Sequence, residues 1–200
     1  MTPFRLRSRL APTRGRLGLV VVIVAAAAGW RVWHDLRHPP RHGRDLDAPV
    51  SGRLDGRPVV VDGDSLTIDG ARIRLAGIDA PERAQSCSLA GMSHPCGDEA
   101  REHLAGLIGR AAVACTWGRL DKYGRRLARC RVGETDLGAA MVRAGWAVAY
   151  GGFEAEEAEA RAHGRGLWSG RFEWPEDFRR SHRPGGAMRL FGDVPDREAE

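Results

Sequence analysis

No apolar run in this chain of 200 residues reaches the roughly 20 residues that a full membrane span needs; the longest, Leu17 to Trp30, has 14. No two of its four cysteines stand two to four residues apart, which argues against a structural zinc site. No internal repeat is present, so solenoid and propeller architectures fall away. The body of the chain also lacks a basic excess. Net charge is +5, yet residues 1–49 hold nine arginines against three aspartates, while residues 50–200 hold 22 Lys/Arg against 23 Asp/Glu and come to −1. Bulk charge therefore says nothing about a polyanionic partner, and any such argument must rest on placed residues.

What the chain does carry begins with a targeting segment over residues 1–33. Arg5 to Arg16 precede the apolar run, and Arg31, Val32 and Trp33 follow it. Ala26 to Ala28 offer a cleavage site for a signal peptide. Alternatively, Arg31 snorkels and Trp30 and Trp33 sit at the interface, which makes a short membrane anchor. A buried helix of a soluble protein fits the flanking arginines less well. Both leading readings export the rest of the chain, either anchored with its body outside the cytoplasm or secreted or periplasmic after cleavage. Cys87, Cys96, Cys115 and Cys130 all lie beyond this segment, and in an oxidising compartment disulfides are expected over four buried thiols.

Residues 34–56, rich in Arg, His, Pro, Gly and Asp without periodicity, read as a linker. Order is expected from Pro58. Val59 to Val61, then Leu66 and Ile68, then Ile73 and Leu75 suggest three antiparallel strands over 58–78, with Asp69-Gly70 as a tight turn. Ala100, Leu104, Leu107 and Ile108 share one face of a helix that ends before Gly109. Val113 to Trp117 and Leu127 to Val132 read as strands around a charged turn, Asp121 to Arg126. Leu137, Ala140, Met141 and Ala144 mark a second helix stopped by Gly145, and residues 154–162 a third. The predicted class is α+β, mainly β: a five-stranded barrel of the OB type with three appended helices, preceded by the N-terminal hydrophobic helix. The domain is expected over 57–178, with 179–200 a loosely ordered tail.

The chemistry concentrates in Asp62-Gly63-Asp64 and in Arg74 to Glu82, which contains Asp79-Ala80-Pro81-Glu82. Asp-Gly-Asp alone is as readily a turn, and Asp-Ala-Pro-Glu alone is common loop chemistry. Arg74 alters that weighing, because an arginine between Ile73 and Leu75 in a strand needs an anionic partner or a wet cleft. Asp121-Lys122-Tyr123-Gly124-Arg125, by itself a polar turn, adds a second guanidinium. Together these pieces supply carboxylates for a hard cation and guanidiniums for a phosphate.

In this order and spacing, the motifs over residues 58–170 resemble the staphylococcal nuclease family. Met141 to Ala147 and Gly166-Leu167-Trp168 resemble its C-terminal helices. The resemblance implies Asp64, Asp79 and the Ala80 backbone carbonyl as ligands of Ca²⁺, with Asp62 shaping the turn. It implies Glu82 as the group that activates or orients the attacking water, and Arg74 and Arg125 as phosphate ligands that stabilise developing charge. Lys122 and Tyr123 match substrate-contacting positions. Tyr150 falls near a tyrosine of the base pocket, although a half-buried core tyrosine fits equally. Gly151-Gly152 stand where another aromatic is expected. The implied protein is a monomeric, calcium-dependent endonuclease acting on DNA, RNA or both and leaving a 3′-phosphate, with a membrane partner if the N-terminal segment stays. The competing reading is a non-catalytic OB-type module that binds nucleic acid or protein. Two disulfides are hypothesised: Cys87–Cys96 closing the loop beside Glu82, and Cys115–Cys130 across the strands flanking the Asp121–Arg125 turn.

Overall fold

The computed structural model describes Leu46, residues 49–89 and residues 91–182. The targeting segment, most of the expected linker and the tail beyond residue 182 lie outside the described residues. No helix among the described residues is long and apolar enough to cross a membrane.

The fold is α+β, built on one curled sheet. β1 (Gly52–Gly56), β2 (Val59–Asp62), β3 (Ser65–Ile68) and β4 (Ala71–Leu75) come first, followed by a two-residue β5 (Ile78–Asp79). A small hairpin, β6 (Cys87–Leu89) and β7 (Met92–His94), leads into α1 (Cys96–Ile108). β8 (Val113–Leu120), β9 (Arg126–Val132) and β10 (Thr135–Asp136) precede α2 (Leu137–Arg143), β11 (Val148–Ala149) and α3 (Glu154–Ala162). A 3-10 turn (Gly166–Ser169) and α4 (Pro175–Ser181) close the described chain. The main sheet runs β1-β8-β9-β4-β3-β2, with β10 beside β9 and β4 parallel to β9. Gly56, at the end of β1, lies against Ile68 of β3, so the sheet folds back on itself as an OB-type half-barrel.

The alternation of the strands explains the core. Leu66, Ile68, Ile73 and Leu75 point inward with Val113, Cys115, Ala128 and Cys130 and meet Ala100, Leu104 and Ile108 of α1. Leu137 and Met141 of α2 complete it. Asp69 and Gly70 both take positive φ (47° and 77°), which forms the tight turn between β3 and β4. Asp136 caps α2, accepting from the Ala139 N–H at 3.1 Å. Both hypothesised disulfides are present, Cys87–Cys96 and Cys115–Cys130, the second joining directly opposed residues of β8 and β9.

The short strands β5, β6, β7, β10 and β11 were not expected, and two larger elements also differ from expectation. β1 occupies residues at the end of the expected linker: Leu54 alone is apolar and inward, too little alternation to register, and the strand exists because the edge of β8 supplies its partners from Val113 to Trp117. α4 makes a fourth helix where three were expected, and it carries Arg179 out of the expected tail. Its periodicity is weak because Pro175 is its single buried residue.

Candidate active site

Three segments bring acids to one place. The β2–β3 connection holds Asp64, whose N–H donates to Asp62 Oδ1 at 3.1 Å. Only glycine fits between them, since a Cβ on Gly63 would lie 2.8 Å from that of Ala80 and 2.9 Å from that of Ala100. β5 carries Asp79, held by pairing with Val148 of β11. Asp64 and Asp79 are both buried, and such charges need partners. Arg74, on β4, is that partner: Nη1 lies 2.7 Å from the Asp64 carboxylate and Nη2 2.6 Å from Asp79 Oδ1. Ser65 Oγ donates to Asp64 Oδ1 at 2.9 Å, and the Ala80 N–H donates to Asp64 Oδ2 at 3.1 Å.

Glu82 follows in a turn whose carbonyl accepts from the Gln85 N–H at 2.7 Å. Gln85 is buried and donates onward from Nε2 to the Glu173 carbonyl at 2.6 Å, which ties this turn to the segment before α4. The Glu82 carboxylate is partly exposed, and its partner is Arg179. Nη1 of Arg179 stands 2.9 Å from both Glu82 Oε1 and Asp79 Oδ1, and Nη2 2.8 Å from Asp79 Oδ2.

The turn between β8 and β9 supplies another part of the lining. Asp121 Oδ1 accepts from the N–H groups of Tyr123 (2.8 Å) and Arg125 (2.9 Å), and Oδ2 from Arg125 Nε at 2.7 Å. Arg72, on the same face of β4 as Arg74, donates to the Tyr123 carbonyl at 2.6 Å. Lys122 Nζ lies 5.1 Å from the Tyr123 ring and the Arg125 guanidinium 5.5 Å. Asp62, Arg74, Glu82, Lys122, Tyr123, Arg125, Tyr150 and Arg179 all line one open cleft of about 800 Å³.

Charge in the cleft is held by these pairs. Burial works to lower the pKa of Arg74, but Asp64 and Asp79 outweigh it and hold it well above its ordinary value. Arg179 behaves alike: burial lowers, the Asp79 hydrogen bond and charge, then Glu82, raise by more. Burial pushes the Asp64 carboxyl above the usual range, against the pull of Arg74. Burial also works to raise Asp121, and the N–H and side-chain donors of Arg125 with the Tyr123 N–H bring it below its ordinary value.

Of the residues chosen from sequence, Asp64, Asp79, Ala80 and Arg74 form one network, and Glu82 joins it through Arg179. Lys122, Tyr123, Arg125 and Tyr150 share the cleft, with Arg125 paired to Asp121. The sequence reading missed Arg72 and Arg179. Arg72 was legible, two residues from Arg74 in the same strand. Arg179 was not, standing 100 residues from Asp79.

Among the described residues, no three His, Cys, Asp or Glu side chains converge to chelate a metal by themselves. The donor set is all oxygen, however, and one cation already sits in it, the Arg179 guanidinium bridging Asp79 and Glu82. The two carboxylates of Asp64 and Asp79 suit a hard cation whose remaining ligands are backbone oxygen, water and phosphate.

Residues 72–170 match a family model described as staphylococcal nuclease homologue. A micrococcal nuclease from Shigella flexneri is 34% identical over 181 residues, which is 82% of this chain and 89% of that protein. A probable endonuclease LCL3 from Scheffersomyces stipitis is 32% identical over 128 residues, 55% of this chain and 53% of its own length. The succinoglycan biosynthesis protein ExoI from Rhizobium meliloti is 31% identical over 130 residues, 61% of this chain and 68% of that one.

Proposed function

This chain belongs to the staphylococcal nuclease family, and from that premise we propose that it is a calcium-dependent nuclease hydrolysing phosphodiester bonds of DNA, RNA or both. The observation that carries the reading is the Asp64–Arg74–Asp79 network beside Glu82, in a cleft that Arg125 and Lys122 also line. Asp64, Asp79 and the Ala80 carbonyl would hold Ca²⁺, which supplies polarisation of a phosphoryl oxygen. Arg74 keeps the two carboxylates side by side and, lining the cleft with Arg125, would also stabilise the phosphate. Arg125, its fork oriented by Asp121, would hold the phosphate through charge-assisted hydrogen bonds that strengthen as negative charge grows. Glu82 would orient the attacking water or take its proton, a role that depends on its carboxylate being held close to that water. Tyr123, exposed on its turn, and Tyr150 offer rings to sugar or base.

Cleavage of single-stranded DNA by the purified protein tests this. Activity is expected with Ca²⁺, none with chelator, and a large loss in Glu82→Gln and in Arg125→Ala. Equal cleavage in every sample would sink the reading. A second reading, a binding module that does not cut, is favoured by one observation: the Glu82 carboxylate is engaged by Arg179. Retention of DNA with no cleavage in Ca²⁺ would select it. We further propose that the protein is exported and either membrane-anchored or released, which the two disulfides support. Recovery of the protein with free thiols from the cytoplasmic fraction would refute export.

A further inference from the structure

α4 ends in a cation that sits where the site has its surplus of negative charge. Asp64 and Asp79 are paired through Arg74, which neutralises one of their charges, and Glu82, joined to Asp79 only through Arg179, adds another. Two remain. Arg179 meets them with a bridge, bonded to both oxygens of Asp79 and to Glu82 at 2.8–2.9 Å. A divalent cation bound to Asp79 needs the oxygens that Arg179 holds, and two cations in that space would repel each other at close range.

The way α4 is attached makes it displaceable. Its root is fixed: Ser88 and Arg171 exchange backbone hydrogen bonds at 2.8 and 2.7 Å, Gln85 holds the Glu173 carbonyl, and Trp174 packs 6.1 Å from Trp168. The helix beyond is held differently. Pro175 is its one fully buried residue, and Glu176 to Arg179 are half-buried. Arg180 pairs within the helix with Glu176 and Asp177, and Ser181 Oγ donates to Glu173 Oε1 at 3.1 Å, a tie back to the root rather than to the site. The Arg179 bridge fastens the last turn to the site. A seven-residue helix cut loose from such a contact is not stable in water.

We propose that Arg179 is a built-in competitor of the catalytic cation, so that docking of α4 and binding of a divalent metal at Asp79 are mutually exclusive. This rests on the calcium-dependent reading above and adds to it a regulation of the same site. With α4 docked the protein is latent, Asp79 saturated and Glu82 occupied. Metal releases the last turn and frees Glu82 for the water. The apparent metal affinity is then the intrinsic one reduced by the undocked fraction, so a site docked about 90% of the time binds about tenfold more weakly than it otherwise would.

Calorimetric titration of the full chain and of Arg179→Ala with CaCl₂ alone, with hydrogen exchange of residues 175–182, tests this. Arg179→Ala should bind Ca²⁺ about tenfold tighter, and Arg179→Lys, which keeps the charge and loses the fork, should fall between. Saturating Ca²⁺ should speed exchange in α4 of the unmodified chain. Without metal, Arg179→Ala should melt lower than the unmodified chain, and it should gain more from Ca²⁺. Equal or weaker Ca²⁺ binding by Arg179→Ala, or unchanged or slower exchange in α4 on adding Ca²⁺, overturns the competition while leaving a Ca²⁺-dependent nuclease intact. Absence of Ca²⁺ binding in all three proteins overturns both.

Discussion

A Cβ at position 97 would lie 1.8 Å from the carbonyl oxygen of Glu82, and that contact is backbone rather than a side chain that could swing away. The first turn of α1 is thus pressed against the turn that presents the Glu82 carboxylate. In Gly97→Ala one of the two must move, and displacement of about 1 Å from a reacting centre costs on the order of 10²-fold in rate. The expected outcome is a folded protein with kcat down by about that factor; full activity in this variant would show that Glu82 needs no such placement. Arg125 makes a different point at the same scale. Its Nε is committed to Asp121 at 2.7 Å, which leaves its terminal nitrogens for a phosphate. Arg125→Lys keeps the charge and loses both the fork and the tether, so kcat should fall about 10²-fold with circular dichroism unchanged.

At the scale of elements, the β8–β9 hairpin carries the Arg125 turn, and Cys115–Cys130 closes it across a separation of 15 residues. Opening a loop of that size costs about 3 kcal/mol in the chain-entropy account, so Cys115→Ser/Cys130→Ser should lower the urea midpoint correspondingly. α3 contributes a pH dependence. Burial raises the Glu157 carboxyl above its ordinary 4.5, against the charge of Arg161 and the Ala149 N–H. An acid whose folded pKa is raised binds more protons when folded, so its stability contribution is lost as pH rises from 4.5 through the folded value. Glu157→Gln, which retains an acceptor for Ala149, should flatten the stability profile in that window; an unchanged slope in urea titrations from pH 4 to 7 would refute it. The elements that were legible in the sequence share a property: α1, β3, β4, β8 and β9 alternate apolar residues with the period of their own backbone, because each buries a face. β1 and α4 bury one side chain inward each and exist through partners far away in sequence, which local pattern does not record.

For the whole molecule, Asp64, Arg74, Asp79, Glu82 and Arg125 of the candidate site stand in short motifs whose order can be followed along the chain, whereas the Arg179 bridge depends on where the chain returns. The same contrast governs charge. Residues 50–200 carry a net charge near −1, and the cleft mixes Arg72, Arg74, Arg119, Lys122, Arg125 and Arg179 with Asp62, Glu82, Asp121 and Glu176, so what a polyanion meets there is set by individual placed cations and not by bulk charge. Each phosphate neutralised on a single strand contributes about −0.7 to the slope of log affinity against log salt. Lys122 holds its ammonium beside the exposed Tyr123 ring, at the mouth of the turn that presents Arg125. Lys122→Gln should therefore lower the magnitude of the slope by about 0.7, seen as a shallower rise of KM with NaCl at constant Ca²⁺. If instead the arginines of residues 1–49 gather the substrate, their surplus of +6 dominates the slope and Lys122→Gln leaves it where it was.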